Sequence, residues 1–133
     1  MVLDTSACVD LLRETARGTR GRATDALRSL GDTRVYLSFF SLCELETGVR
    51  LAARPAEEQA RFEHLLQRLT VLYPDTGFPV LFGEAAAELI TAGTPIPTMD
   101  LLIGITAKAR SLPVLTRDPK HFARIPGLVV ESY

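Results

Sequence analysis

The chain has 133 residues, 47% of them hydrophobic and 23% charged, with a formal net charge of −1. That size and composition predict one globular domain, residues 1–133, with a sizeable core, and exclude intrinsic disorder. The near-zero balance excludes a general polyanion binder; the cluster Arg13, Arg17, Arg20, Arg22 and Arg28 reads either as a face for nucleic acid or as a solvated surface.

Val2–Asp4 predicts a short buried strand, because two apolar residues reach a carboxylate and helix-like sequence follows at once. Thr5 or Ser6 offers an N-cap to a first helix whose apolar side holds Val9, Leu11 and Leu12. Residues 17–22 break it, and a second helix from Thr24 to Leu30 stops at Gly31, a suitable C′ residue. Residues 34–38, with Val35 and Tyr36, predict the second strand. Ser38 or Ser41 caps the helix that follows, which runs to about Ala53, and Pro55 starts the next at its first turn. There Phe62, Leu65, Leu66 and Leu69 repeat at helical spacing, and His64 reads as partly exposed.

Residues 70–73 predict a third strand, stopped by Pro74, and Phe78 to Ala92 a helix ending at Gly93. Its apolar start, Phe78 to Phe82, suits core packing or a dimer face. A link rich in proline then leads to an apolar helix from Thr98 to Arg110. Residues 113–116 predict a fourth strand, Asp118-Pro119 a single turn, and residues 128–130 a last strand. Strands alternating with helices predict a three-layer α/β/α fold around a parallel sheet of about five short strands. Cys8 and Cys43 have neither CxxC spacing nor a nearby His, so they read as small core residues in a reducing compartment. Asp4 and Asp10 interrupt any signal-like run, and no apolar stretch approaches the ~20 residues a bilayer span needs. The expectation is a soluble, cytoplasmic chain with no membrane partner.

In right-handed βαβ units, helix N-termini gather at the C-terminal edge of the strands, where open α/β sheets bind ligands. Asp4 ends the first strand there, Glu44 lies early in the helix after the second, Asp100 opens a helix, and Asp118 follows the fourth strand. One edge should receive all four. Each also has a duller use: Asp4 as an N-cap, Glu44 closing a capping box with Ser41, Asp100 favouring the dipole after a Thr98 cap, and Asp118 capping before Pro119. Two carboxylates about 5 Å apart repel by roughly 3 kcal/mol at an effective dielectric of about 20, so four together call for protons or a cation. Oxygen ligands without His or Cys select a hard ion, Mg²⁺ or Mn²⁺, which suits phosphodiester hydrolysis. Glu46, Asp75 and Asp10 read as structural carboxylates.

VLDTS, Ser38 followed by ELETG, MDLLIGITAKA, LTRDPKHF and IPGLVVES, in this order, resemble the PIN-domain ribonucleases, above all the toxins of VapBC-type toxin–antitoxin modules. The resemblance spans Met1 to Glu131. It implies a PIN-like α/β/α fold and Mg²⁺- or Mn²⁺-dependent endoribonuclease activity. Asp4, Glu44, Asp100 and Asp118 would be the catalytic acids, with Asp4, Asp100 and Asp118 on the metal. Ser6, where relatives often carry Asn, and Thr116 would support them. Some relatives carry an acid at the position of His121; that residue reads here as packing or surface, and Asp118 is taken as the last acid. Arg117, Lys120 and Arg124 would meet RNA phosphates or form a solvated face. A small cognate antitoxin and a homodimer are the implied partners. The alternatives are a catalytically weak PIN-like module that holds RNA or protein, and a phosphatase using Asp4 as nucleophile, which lacks the usual second acid because Ser6 stands in that slot.

Overall fold

The computed structural model describes residues 1–133. Five strands, β1 (Val2–Leu3), β2 (Tyr36–Ser38), β3 (Thr70–Leu72), β4 (Val114–Thr116) and β5 (Val130–Ser132), form one sheet of order β3-β2-β1-β4-β5. Every neighbouring pair is parallel. Six helices cover it: α1 (Thr5–Arg17), α2 (Arg22–Ser29), α3 (Phe39–Leu51), α4 (Pro55–Leu66), α5 (Phe78–Thr91) and α6 (Thr98–Lys108). The expected three-layer parallel architecture is therefore present.

The central strand, β1, is the shortest, yet it divides the core. Successive strand side chains point to opposite faces. Leu3, Leu37 and Leu115 enter one core with Cys8, Leu12, Leu45 and Phe62, beneath α1 to α4. Val2 and Val114 enter the other with Leu89, Ile103, Ile105 and Phe122, beneath α5 and α6. Val2 and Leu3 are both fully buried, as two-sided cover requires.

Of the caps weighed for α1, Asp4 rather than Thr5 or Ser6 serves, accepting the N–H of Ala7, so the helix begins directly after the strand. Two local expectations change. The last strand lies two residues further on than expected, because Gly127 adopts φ +74° and Leu128 turns back to pack beneath α6. Cys8 is buried as expected, whereas Cys43 is exposed on the outer side of α3. Of the two candidate caps for α3, Ser38 serves, its Oγ accepting the N–H of Ser41 at 3.0 Å.

Candidate active site

β1 and β4 are adjacent and parallel, so the residues that follow them emerge side by side at one edge of the sheet. Asp4 is 6% exposed. Its Oδ1 accepts the Ala7 N–H at 2.7 Å and the Ser6 hydroxyl at 2.9 Å; its Oδ2 accepts the Thr116 hydroxyl at 2.7 Å. Thr116 Oγ in turn accepts the Asp118 N–H at 3.1 Å, which ties the chain beyond β4 to the carboxylate. Burial pushes the Asp4 carboxyl above the usual carboxylate range; its hydrogen bonds act against this, and the charge of Asp100 adds to it.

Asp4 lines a cavity of about 310 Å³ with Thr5, Ser6, Val9, Arg13, Glu44, Asp100, Ile103 and Arg117. Three of the four expected acids thus share one space, brought there by β1, α3 and α6. Glu44 is fixed across the cavity, its Oε2 accepting the Thr5 hydroxyl at 2.5 Å, and so does not close a capping box. Asp100, in the first turn of α6, meets Nδ1 of His121 at 2.7 Å. The fourth acid, Asp118, is exposed and outside the cavity lining; its Oδ1 accepts the backbone N–H of Lys120 at 3.2 Å. A larger cavity of about 470 Å³ between α1, α2 and α4 holds Arg28, Arg61, His64 and Arg68 over leucines and no carboxylate, so it offers a cation no charged oxygen ligand.

The chain matches the PIN domain family over residues 1–128. It is a PIN-domain protein. It is 32% identical over 132 residues to the tRNA(fMet)-specific endonuclease VapC of Salmonella typhimurium, covering 99% of this chain and 96% of that one. It is 30% identical over 99 residues to Ribonuclease VapC2 of Rickettsia felis, covering 74% of each. Among solved structures, VapBC2 from Rickettsia felis bound to a DNA fragment from its promoter superposes with a TM-score of 0.90 at 27% identity, covering 99% of this chain and 97% of that one. DNA-bound VapBC from Salmonella typhimurium gives 0.87 at 30% identity, covering 98% and 96%. The expected family and fold are both met.

PIN-domain chemistry implies a divalent ion, and the residues can be tested for it. As the side chains stand, no three His, Cys, Asp or Glu groups are close enough to hold an ion between them. The donor set nevertheless fits a hard ion. Mg²⁺ keeps several waters and binds through one or two carboxylates, and Asp4 and Asp100 are two carboxylates whose charges repel. A cation there would relieve both that repulsion and the cost of burying Asp4.

The cavity also holds Thr5, Val9 and Arg13, expected as a cap candidate, an apolar helix residue and one of a basic cluster rather than as site residues. Thr5, Val9 and Arg13 recur every four residues on α1 and form one wall, a spacing that could have been read in advance. Arg117 is held by Asp10, its Nη1 donating to both carboxylate oxygens at 2.9 and 3.1 Å, while Tyr133 donates to the same Asp10 at 3.1 Å. Asp10 is thus structural, as expected, and its task is to aim Arg117. Glu46 lies 4.0 Å from Arg50, and Asp75 lies 3.6 Å from Arg110, both away from the cavity. No sequence signal marked His121 as the partner of Asp100. No helix is long and apolar enough to cross a membrane.

Proposed function

We propose that this PIN-domain chain is one nuclease domain acting as a metal-dependent endoribonuclease, the toxin of a toxin–antitoxin pair. The observation that carries this reading is Asp4: a buried carboxylate, fixed on both oxygens, beside a second carboxylate at a cavity. The ribonuclease names of its relatives supply the substrate class. When bound, Mg²⁺ or Mn²⁺ supplies a Lewis acid for a phosphate oxygen and lowers the pKa of water.

Asp4 and Asp100 would hold the ion, directly or through water, and Asp118 would contribute through water from the rim. Ser6 and Thr116 keep Asp4 oriented. Glu44, with one oxygen tied to Thr5, offers the other to orient the attacking water. Attack in line on phosphorus breaks the bond to the leaving oxygen, which takes up a proton. Arg13 and Arg117 line the cavity and, with Lys120 beyond it, suit the RNA phosphates on either side. A loop or single strand is the favoured substrate, because its backbone can bend into the cavity. The tRNA named for the Salmonella relative is the first to try.

The antitoxin would shield the acids with a basic side chain. The surface along α1 would seat it: the α1/α2/α4 cavity and a second cavity both meet Leu12, and the second shares Val9, Arg13 and Glu44 with the acid-lined one. Assembly as a homodimer, for which exposed Val80 and Leu81 on α5 offer apolar surface, and work in the cytoplasm complete the reading. The test is cleavage of RNA by the purified chain with Mg²⁺, Mn²⁺ or chelator, beside Asp4→Asn and Asp100→Asn. Ion-dependent cleavage should fall by more than about 100-fold in either variant, beyond what loss of a ligand's supporting partner costs. Equal cleavage by wild type and variants sinks the catalytic assignment. RNA binding without cleavage would instead make the chain a binding module.

A further inference from the structure

Asp100 differs from the other cavity acids in its partner. Hydroxyls and a backbone N–H hold Asp4, and a hydroxyl holds Glu44, whereas Asp100 Oδ2 lies 2.7 Å from His121 Nδ1. An ionised carboxylate has no hydrogen to give, so Nδ1 carries it whether the ring is neutral or cationic. Oδ1 remains without a hydrogen bond from the protein. The contact is built on two anchored elements. Leu101 and Phe122, the chain neighbours of the pair, are 4% and 2% exposed. Gly104, one turn beyond Asp100, lets the segment after His121 press against α6: a Cβ there would collide with Ile125 and stand 3.4 Å from Phe122. The backbone on both sides of the contact is thus fixed, and only a turn of the His121 side chain itself would part the pair.

We propose that His121 is a positioning residue that makes Asp100 a one-oxygen ligand, by holding Oδ2 and leaving only Oδ1 for a divalent ion. The inference rests on the metal-dependent reading above and extends it to the choice of ion. Mg²⁺ requires near-ideal octahedral geometry and keeps its waters, while Ca²⁺ accepts about six to eight oxygens and often both from one carboxylate. A carboxylate with one oxygen already engaged suits the first ion and handicaps the second. His121 thereby biases the site towards Mg²⁺ and Mn²⁺ and against Ca²⁺.

The experiment is calorimetric titration of the full chain with Mn²⁺ and with Ca²⁺, in wild type, His121→Ala, His121→Asn and Asp4→Asn. Asparagine can place an amide N–H near the position of Nδ1, so it preserves the donor without the ring. His121→Ala should weaken Mn²⁺ binding by about tenfold or more and narrow the preference over Ca²⁺, while His121→Asn stays within about threefold of wild type. If the alanine variant is not folded by circular dichroism, His121→Phe removes the donor while keeping the bulk. An unchanged Mn²⁺/Ca²⁺ ratio overturns the proposal. So does an asparagine variant as weak as alanine, or imidazole nitrogen coupling in pulsed EPR of bound Mn²⁺, either of which makes the ring itself a ligand. Wild type that binds neither ion, or binds them no better than Asp4→Asn, overturns the metal site itself and this role with it.

Discussion

Asp4 and Glu14 stand at opposite ends of α1 and perform the same backbone task in opposite electrostatic settings. Asp4 caps α1 itself. Glu14 caps α2 from outside: Gly21 at the cap position has no side chain, and the Glu14 carboxylate accepts the N–H of Ala23 at 3.1 Å and of Thr24 at 2.9 Å. Burial is the largest influence on each and pushes both carboxyls up. At Glu14 the Thr24 hydroxyl and the N–H groups of α2 outweigh it, and the carboxyl lies below its usual range. At Asp4 they do not, and Asp100 pushes the same way, so the carboxyl lies above it. An acid placed for stability is relaxed by its partners. Asp4 keeps a cost that a cation would remove, and that difference separates the end of the helix proposed to face an ion from the end that only caps.

The largest expected effect breaks the comparison outright. At an Mn²⁺ concentration of about 100 Kd, wild type should gain about 2.7 kcal/mol, seen as a higher Tm, and Asp4→Asn should gain almost none. Glu14→Ala should respond to Mn²⁺ like wild type. A gain that survives in Asp4→Asn places the ion elsewhere.

Second comes the pair of substitutions without metal. Glu14→Ala should cost about 1 kcal/mol, the ordinary worth of an N-cap. Asp4→Asn should do the reverse at neutral pH, raising Tm by a few degrees, since asparagine also caps well and carries no buried charge. If denaturant melts show both variants equally destabilised, the contrast between the two acids is wrong.

The pH dependence sharpens it. A carboxyl raised in the folded state favours folding below its unfolded value, 3.8 for Asp4, and loses that contribution as pH rises through the folded value. The advantage of Asp4→Asn should therefore be present at pH 7 and vanish in acid below the unfolded value. A carboxyl lowered in the folded state behaves oppositely. The charge-dependent contribution of Glu14 is present above its unfolded value, 4.5, and is lost as pH falls through the folded one, so the cost of Glu14→Ala should shrink in acid to what a neutral carboxyl's hydrogen bonds contribute. Melts of the two variants from pH 7 down to 3 check both windows.

The smallest effect concerns Gly21. A Cβ there would meet the Glu14 carboxylate, whose flexible end must move and give up its cap. Gly21→Ala should cost no more than Glu14→Ala, and the double variant little beyond either alone, a coupling that a double-mutant cycle reads directly.

Much of this was legible in the chain. The alternation of apolar strands and capped helices determined the parallel three-layer fold, because each pattern can bury its apolar side in only one way. The position of Asp4, Glu44 and Asp100 at one edge follows from topology, since every strand runs the same way and α1, α3 and α6 all start at that edge. Asp118 reaches that edge for the same reason. Sequence order could not decide which way its carboxylate faces, because Lys120 offers an N–H only two residues along and the turn takes it. Nor could it pair His121 with Asp100, or Arg117 with Asp10: these partners are 21 and 107 residues apart and meet through the packing of Phe122 on α6 and of β4 beside α1. Periodicity and local capping set which elements form and where they end. Side chains distant in sequence meet only when those elements close over a shared core, so the finer aim of the acids belonged to the tertiary structure.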